Sequence, residues 1–405
     1  MESCKYDVGG IIHERPFRIR RLGHFGFNVK NTKETIHFYC NLLGFRISDP
    51  MDIALNHPNE RELKSVGDTN LYFTRHGTDH HSFVFCDRNV FNSMGRGKRL
   101  SQDVTVNQIT WQVASLNEVV NAIDYFEKNN IPINRSGRDM PGSNWHVYPY
   151  DPEGHRNELY YGIEQIGWLG SAKPQKAYER RFLDRPKLPQ IPEYEEVEFI
   201  RNSGIELSSG FRHPEEEPAI YDVEGILLPR PFKVVRIGPV GIYCKNIETM
   251  LDFYTNSMGF ELTEEIIWNG YKCYFLRCNT EHHSLALFPI EIREILSLEF
   301  QTTTFSFGIQ LGSYKQLRSC IKYLLDNNCK LINIPKELTP GIDFNVHFLD
   351  PCGHPIMLYF NMEQIGINNT SSKLNVNYLN WETWPDQIER PNGAFLGEQF
   401  LGPLG

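Results

Sequence analysis

The chain has 405 residues, of which 40% are hydrophobic, 13% aromatic and 22% charged, the composition of a folded, water-soluble protein. Its 41 Lys and Arg residues and 50 Asp and Glu residues give a net charge of −9 without a long basic run, which excludes an electrostatic surface for nucleic acid. No stretch approaches the about 20 consecutive apolar residues that cross a bilayer, and MESCKYDVGG does not resemble a signal peptide. We therefore predict a cytoplasmic protein that binds a small molecule, and neither nucleic acid nor a membrane.

The first half of the chain predicts the order strand, helix, strands, and predicts it twice. RLGHFGFNV alternates like a strand, and TKETIHFYCNLLGF places apolar residues on one helical face before Gly44 ends the helix. Two further apolar strands end near Phe85. VNQITWQV, the amphipathic LNEVVNAIDYFEKNN and two strands joined by Asp-Pro-Glu-Gly repeat the order. Each such unit leaves one face of a small sheet bare, so two units would pair to enclose a pocket.

The chain also repeats itself on a larger scale. YDVGGIIHERPF from Tyr6 reappears as YDVEGILLPRPF from Tyr221, an offset of 215. LYFTRHGTDHHSFVF from Leu71 matches CYFLRCNTEHHSLAL from Cys273 at an offset of 202, so the second half lacks about 13 residues in between. We predict homologous domains at 1–165 and 216–365, a Pro-rich and charged linker at 166–215, and a C-terminal tail at 366–405.

This order of elements, together with HFGFNV, FYCNLLGF, the HHS block and DPEGHRNEL, resembles the vicinal oxygen chelate superfamily. That superfamily includes glyoxalases, bleomycin-resistance proteins and extradiol ring-cleaving dioxygenases, and the chain resembles the last group most closely. The resemblance covers nearly all of both halves. It implies an α+β fold of four βαβββ modules, paired into two vicinal-oxygen-chelate domains that are each a cupped mixed sheet with helices outside.

The resemblance also implies a metal site. In the superfamily the ligands come from the first strand of each module and the last strand of the second, which here means His24, Gln108 and Glu158. Extradiol dioxygenases have His, His and Glu there, a set that leaves coordination sites on Fe(II) open for a catecholate and O2. Gln108 departs from that pattern and resembles glyoxalase-type ligands, so we expect weaker binding of Fe(II) and tolerance of Mn(II) or another divalent metal. His146 is an alternative nitrogen ligand.

Three further positions match the extradiol group. His81 falls where these enzymes carry a histidine that exchanges protons with the substrate, a role suited to a residue that both takes and returns a proton. Tyr148 falls where they carry a tyrosine that hydrogen-bonds the metal-bound substrate oxygen. Asp139 falls where some relatives have His or Asp. The resemblance thus implies His81, Tyr148 and Asp139 as catalytic residues.

Strand alternation adds a prediction about the pocket wall. Residues two apart on a strand share a face, so the neighbours of Tyr148 and Glu158 on the same face would also line the cup. An aromatic and polar wall of this kind suits a planar hydroxylated ring with one acidic substituent near the arginine. The predicted substrate-binding residues are His146, Tyr150, Arg156 and Tyr160.

The second half lacks the implied ligands. At the three matching positions it has Pro239, Ser306 and Met357, although its strand, helix and turn patterns persist. Loss of all three together indicates that they serve a function in the first half beyond folding. In the two-domain extradiol enzymes that the chain resembles, the metal lies in the C-terminal domain, so the order of the domains is reversed here. The copy keeps His282 and His283, which also allows a structural role for the pair.

We therefore expect an Fe(II)-dependent extradiol-type dioxygenase that cleaves a catechol-like or vicinally oxygenated aromatic substrate with O2. Two alternatives stay open: a glyoxalase-like metal-dependent isomerase, lyase or hydrolase that does not use O2, and a metal-free protein that binds a small molecule. The identity of the substrate, the role of the tail and the formation of a homo-oligomer stay open as well.

Overall fold

The computed structural model describes residues 5–55, 57–94, 105–138, 144–167, 169–178, 184–365 and 380–388. Contacts divide the chain into two compact units. The first comprises Met1–Lys30, Arg46–Gln102 and Val106–Pro214, and the second comprises Asn31–Phe45, Asp103–Thr105 and Glu215–Gly405. The second unit therefore includes a short segment of the first half of the chain, whereas the predicted domain boundaries follow chain order.

The described residues of the first half form ten strands. They are β1 (Tyr6–Val8), β2 (Ile11–His13), β3 (Arg21–Val29), β4 (Arg46–Asp52), β5 (Asn70–Arg75), β6 (Phe83–Asp87), β7 (Val106–Gln112), β8 (Ile133–Gly137), β9 (Trp145–Pro149) and β10 (Asn157–Tyr161). Strands β1 and β2 form a separate hairpin, and the other eight form one mixed sheet in the order β4-β5-β6-β3-β7-β10-β9-β8.

Helices connect these strands. They are α1 (Thr32–Ile36), which continues into the π-helical turn His37–Leu42, then α2 (Glu60–Val66), α3 (Arg88–Ser93) and α4 (Leu116–Lys128), followed by α5 (Glu193–Asn202) and the 3-10 turns Gln175–Tyr178 and Leu207–Ser209 in the predicted linker. The amphipathic helix α4 packs against β9 and β10. Helix α5 has no buried residue, and an ion pair joins its Glu196 to Arg138.

The second half repeats this plan. Its strands are β11 (Tyr221–Val223), β12 (Ile226–Leu228), β13 (Val234–Cys244), β14 (Glu261–Trp268), β15 (Tyr271–Arg277), β16 (Leu285–Pro289), β17 (Thr304–Leu311), β18 (Lys330–Ile332), β19 (Asn345–Leu349) and β20 (Pro355–Tyr359). Its helices are α6 (Ile247–Asp252) with the π-helical turn Phe253–Ser257, α7 (Glu291–Ile295) and α8 (Tyr314–Asp326), with 3-10 turns at Lys336–Leu338 and Trp381–Thr383. The sheet order is β14-β15-β16-β13-β17-β20-β19-β18. The predicted α+β fold of four βαβββ modules in two mixed sheets is confirmed.

The missing residues of the second half correspond to the connection that carries helix α2. In the second half, β14 and β15 are instead joined directly through Asn269 and Gly270, whose φ angles are 48° and 84°. Asn-Gly is the pair that accepts positive φ at both positions of a tight hairpin turn. The difference between the repeat offsets is thus a local insertion that leaves the sheet order unchanged.

Helix α1 belongs to the second unit through contacts of its π-helical turn. The Tyr39 hydroxyl donates to Asp350 Oδ2 at 3.1 Å, and the Arg230 guanidinium donates to the carbonyls of Cys40 and Asn41 at 2.8 and 2.7 Å. Asp350 also accepts from the backbone N–H of Cys352 at 2.8 Å. The Asp of the repeated Asp-Pro-x-Gly sequence therefore has a structural role in closing the turn.

Part of the predicted tail packs on the second unit. Trp384 is buried with its ring centroid 5.2 Å from Phe344 and 6.2 Å from Tyr314, and Arg318 donates to its carbonyl at 2.9 Å. The rest of the tail lies outside the described residues. In the part of the chain that the structure describes, every helix is too short or too polar to cross a membrane.

Strand register brings three side chains of the first unit into one row. Strand β3 runs antiparallel to β7 and β7 runs parallel to β10, and both His24 and Glu158 lie opposite Thr110. Neighbouring strands are about 4.8 Å apart, so His24 and Glu158 meet over the strand between them. The central strand β7 therefore determines which residues of β3 and β10 come into contact.

Gly23 gives Tyr160 room beside this row. A Cβ atom at Gly23 would lie 2.2 to 2.5 Å from the Tyr160 ring and hydroxyl, distances that require one of the two to move. We expect Gly23→Ala to lower the free energy of unfolding by about 1–3 kcal/mol, as overpacked buried sites do. Urea unfolding measures it. Gly77→Ala is the control, because a Cβ there meets nothing within 4 Å, and equal stabilities of the two variants would contradict the prediction.

Candidate active site

Glu158 is the centre of a buried polar cluster in the first unit. Its side chain is 0% exposed, and its Oε2 lies 3.0 Å from His24 Nε2 and accepts from the Thr110 hydroxyl at 3.0 Å. Its Oε1 accepts from the Asn144 side-chain amide and lies 3.7 Å from His146 Nδ1. Both carboxylate oxygens are therefore surrounded by hydrogen-bond donors.

These donors keep the carboxylate ionised. Burial by itself raises the pKa of Glu158, but the charge and hydrogen bond of His24, the charge of His146 and a hydrogen bond from Tyr148 together lower this pKa to about 2. Hydrogen bonds to the charged form stabilise it against desolvation. Glu158 is thus negatively charged at neutral pH although its side chain is fully buried.

His24 completes the first pair of candidate ligands. Two atoms bound to one divalent ion at about 2.1 Å, with an angle of about 90° between them, are about 3.0 Å apart. The separation of His24 Nε2 from Glu158 Oε2, 3.0 Å, therefore suits two ligands of one metal ion as well as a hydrogen bond. The ring of His24 lies 4.2 Å from that of His81 and 5.2 Å from that of Tyr160.

The third predicted ligand, Gln108, lies further along the same strand. It is buried opposite Gly26, two residues from Thr110 on β7, so both side chains lie on one face of the sheet. A Cβ atom at Gly26 would be 3.4 Å from Gln108 Cγ, which shows how closely the side chain covers this glycine. Coordination by Gln108 stays a prediction.

Thr110 and Asn144 are contacts of Glu158 that the sequence analysis missed. Thr110 lies directly between His24 and Glu158, and Asn144 precedes β9. Alternation along β7 could have indicated Thr110, because it shares a face with Gln108. Asn144 lies outside the regular strand and carried no such signal.

Within the described ranges, no group of three His, Cys, Asp or Glu side chains is arranged to hold a metal ion. The cluster supplies one imidazole and one carboxylate at a suitable separation, so a metal here requires at least one ligand of another type. A glutamine oxygen is such a ligand. His24 and Glu158 therefore fit two ligands of a divalent ion, and the third ligand, Gln108, stays a prediction.

A hydrogen-bonded chain of three residues leads to the cluster. Asp49 Oδ2 lies 2.6 Å from His80 Nε2, and His80 Nδ1 lies 3.0 Å from His81 Nδ1. Burial raises the pKa of Asp49, an effect that the hydrogen bond with His80 opposes. Burial and the neighbouring His24 and His80 hold the pKa of His81 well below its usual range, so His81 is a neutral imidazole. The structure thus brings His81 beside His24, and its catalytic role stays a prediction.

Tyr148 and His146 lie together on β9, beside Glu158. Their ring centroids are 4.8 Å apart, and the Arg135 guanidinium lies over the Tyr148 ring at 4.5 Å from its centroid. Arg138 follows the end of β8, and its guanidinium lies over the Trp145 ring at 4.4 Å from the centroid. Arg135 was not predicted; it brings a cation to the side of Tyr148.

The remaining predicted residues are arranged differently. Tyr160 is buried beside His24, and burial raises the pKa of its phenol. Arg156 donates to the Asn107 carbonyl at 2.8 and 3.1 Å, a contact that strand alternation did not predict. Tyr150 is buried and forms an isolated bridge with Arg156, and Asp139 lies outside the described residues.

The second unit shows the same scaffold without the charged row. Met357 lies opposite Gly308, which packs against Gly238 and Pro239 in place of the row formed by His24, Thr110 and Glu158. Met357 belongs to an apolar cluster with Ile342, Tyr359 and Met362. The acid and two histidines persist: His282 Nε2 lies 3.2 Å from Glu264 Oε2, and His282 Nδ1 lies 3.1 Å from His283 Nδ1.

Comparison with known proteins gives a family and a shared fold. A family model described as the Glyoxalase/Bleomycin resistance protein/Dioxygenase superfamily matches residues 21–159 and 236–358. Metapyrocatechase 2 from Cupriavidus necator is 26% identical over 200 residues, which is 48% of this chain and 52% of that protein. The chain therefore spans about half the length of this curated relative.

Solved structures extend the likeness over most of the chain. The Mn(II)-bound glyoxalase from Novosphingobium aromaticivorans aligns with a TM-score of 0.53 at 14% identity, over 87% of this chain and 85% of that chain. The 2,3-dioxygenase LapB from Pseudomonas sp. KL28 aligns with a TM-score of 0.53 at 15% identity, over 87% of this chain and 95% of that chain. At such identities the alignments show a common fold.

The bond from Thr110 to Glu158 provides a stability test. Thr110→Val keeps the side-chain shape but removes a donor from a buried carboxylate, and we expect a loss of about 1.5–3 kcal/mol in the free energy of unfolding. Urea unfolding of the chelator-treated protein measures this loss. The control is Thr304→Val in the second unit, because Thr304 is equally buried and its hydroxyl has no hydrogen-bond partner among the described residues. An unchanged free energy of unfolding in Thr110→Val would contradict the central role of Glu158.

Proposed function

The chain belongs to the Glyoxalase/Bleomycin resistance protein/Dioxygenase superfamily, and from this premise we propose that its first unit is an extradiol-type dioxygenase. The reaction is ring cleavage of a catechol-like or vicinally oxygenated aromatic with O2, dependent on Fe(II). Metapyrocatechase 2 and the 2,3-dioxygenase LapB are relatives whose names describe this class of activity.

The convergence of His24, Glu158, His81 and Tyr148 in one buried cluster is the observation that carries the proposal. Its weight comes from the comparison inside the chain, because the second unit keeps the scaffold but has Met357 in an apolar cluster at the matching place. A buried ionised carboxylate destabilises a fold unless donors or a metal compensate it. Retention of the costly group in one unit alone supports a function there.

His24 Nε2, a Glu158 oxygen and the Gln108 amide oxygen would hold the metal. When bound, Fe(II) supplies adjacent coordination sites at which both a diol and O2 are activated. Replacing a second imidazole by the amide of Gln108 lowers the donor strength of the set, so Mn(II) is the alternative metal. Thr110 and Asn144 would orient the Glu158 carboxylate by donating to its two oxygens.

His81 and Tyr148 would act on the substrate. His81 is neutral, so it can accept the proton of a substrate hydroxyl and return it later. Tyr148 lies next to Glu158 and would donate a hydrogen bond to a substrate oxygen, which fixes the plane of the ring. Asp139 keeps its predicted catalytic role as a proposal.

Arg135 refines the substrate class. Arg156, the cation that the sequence analysis placed near an acidic substituent, donates to the Asn107 carbonyl and keeps that role as a proposal. Arg135 is a second cation, which lies over the Tyr148 ring. A carboxylate on the aromatic ring would pair with Arg135 while the ring faces Tyr148 and His146. We therefore propose a catechol that carries an acidic group.

A glyoxalase-like reaction is the second candidate. Gln108 favours this candidate, because a glutamine at this position resembles the ligands of glyoxalase-type relatives. The Mn(II)-bound glyoxalase is also among the structures of the same fold. Turnover of a chelating substrate with a divalent metal in the absence of O2 would support this candidate.

The first test is oxygen consumption. Protein reconstituted anaerobically with Fe(II) is mixed with a panel of catechols, and we expect uptake of O2 that stops when the diol is exhausted. His81→Gln should lower kcat by about 10²–10⁴-fold, the usual contribution of a general acid–base group. The matched control His283→Gln changes the corresponding residue of the second unit and should retain wild-type kcat. Absence of uptake with every diol, in protein that does bind iron, would refute the proposal.

The second test concerns the acidic substituent. Arg135→Gln should raise KM by about tenfold for a catechol bearing a carboxylate, the equivalent of about 1.4 kcal/mol of lost ion pairing, and leave KM for unsubstituted catechol within about twofold. Steady-state kinetics measure both values. Arg138→Gln removes a neighbouring cation that lies over Trp145 and pairs with Glu196, so it serves as the control. Equal changes in KM for the two catechols would exclude recognition of the acidic group by Arg135.

A further inference from the structure

Asp49 and His80 lie behind His81 and have no role in the function described so far. His80 is 0% exposed, and each of its ring nitrogens has a polar contact. Nε2 lies 2.6 Å from Asp49 Oδ2, and Nδ1 lies 3.0 Å from His81 Nδ1. Phe73 packs edge-on against both imidazoles, at 5.4 Å from the His80 ring and 4.9 Å from the His81 ring. The orientation of both rings is therefore fixed by packing as well as by hydrogen bonds.

The donor and acceptor capacity of each group determines where the protons lie. A doubly protonated His80 would donate from Nδ1 and give His81 the opposite tautomer, which is the outcome that would overturn the proposal. In a neutral His80 the single proton is on Nε2, because the ionised Asp49 carboxylate can only accept. The His80 Nδ1 then carries a lone pair and can only accept. Its contact with His81 Nδ1 consequently requires that His81 carry its proton on Nδ1, because two lone pairs at 3.0 Å would repel. A neutral imidazole has one N–H, so His81 Nε2 is the nitrogen with the lone pair.

We propose that Asp49 and His80 are positioning residues that hold His81 in the Nδ1–H tautomer and so make Nε2 its proton-accepting nitrogen. The inference deepens the proposed function, on which the need for a base at His81 rests. The same logic operates where a buried carboxylate fixes the tautomer of a catalytic histidine through its ring N–H. Here the carboxylate acts through a second imidazole.

The other half of the chain supplies a control for a purely structural role. Glu264, His282 and His283 repeat the arrangement, with 3.2 Å in place of 2.6 Å at the carboxylate, in a unit that lacks the charged row. If the acid and the two histidines served only to pack the strands, their loss would have the same consequences in both units. If they position a base, only the first unit will show a catalytic effect.

Nitrogen NMR of the full chain tests the tautomer without reference to activity. In chelator-treated protein labelled with ¹⁵N-histidine, long-range proton–nitrogen correlation distinguishes protonated from unprotonated ring nitrogens, and His81→Gln assigns the His81 signals. We expect protonated Nδ1 and unprotonated Nε2 at His81. In Asp49→Asn, the amide can donate to His80 as well as accept from it, so His81 should shift toward the Nε2–H form. Protonated Nε2 in the wild type, or an unchanged tautomer in Asp49→Asn, would overturn the proposal.

Kinetics then test the consequence. Asp49→Asn should lower kcat with the diol by at least about tenfold while KM stays within about twofold, because the substrate contacts are untouched. Asp49→Glu, which restores an acceptor, should recover part of kcat, and Glu264→Gln should leave kcat unchanged. Equal effects of the two charge-removing variants, or no effect of either, would refute the positioning role. If the wild type consumes no O2, the dioxygenase proposal fails, and the NMR result still decides the tautomer.

Discussion

A fully buried carboxylate has to be compensated, and the compensation of Glu158 is the constraint on which the first unit depends. Moving a lone charge out of water costs far more than one hydrogen bond returns. Two imidazoles, a hydroxyl and an amide surround Glu158. Burial raises its pKa, but the charges of His24 and His146 and hydrogen bonds from His24 and Tyr148 lower it to about 2. Each of these donors is placed by a strand or a strand end, so the sheet register and the charge of Glu158 are inseparable.

The second unit shows that the fold does not need this charge. It forms the same sheet order with Met357 at the matching place, packed among apolar side chains. A hydrophobic residue there avoids the cost of burying a charge, which is the replacement expected when a polar site loses its function. Comparison of the two units therefore distinguishes the residues that the fold requires from the residues that only the site requires. It also explains why substitutions in the second unit are suitable controls.

The fold could be predicted because its signals are local and repeated. Strand alternation, the amphipathic helices, Gly44 and the internal repeat specify four βαβββ modules, and the structure confirms them. The contacts of the site depend instead on register. Irregularities in the pairing of β3 with β7 interrupt simple alternation beside His24 and Gly26. Alternation along β7 could indicate the face on which Thr110 lies, but it could not place Thr110 between His24 and Glu158 or predict the contact of Arg156 with Asn107.

Long-range contacts explain the other differences. The assignment of helix α1 to the second unit depends on Asp350 and Arg230, which are far away in sequence.

The most direct test of the account is a crystal grown anaerobically with Fe(II) and measured for anomalous scattering at the iron edge. We predict one peak per chain, bound by His24 and Glu158 in the first unit, and none in the second. Absence of iron between these two side chains, in protein that is otherwise ordered there, would contradict the account.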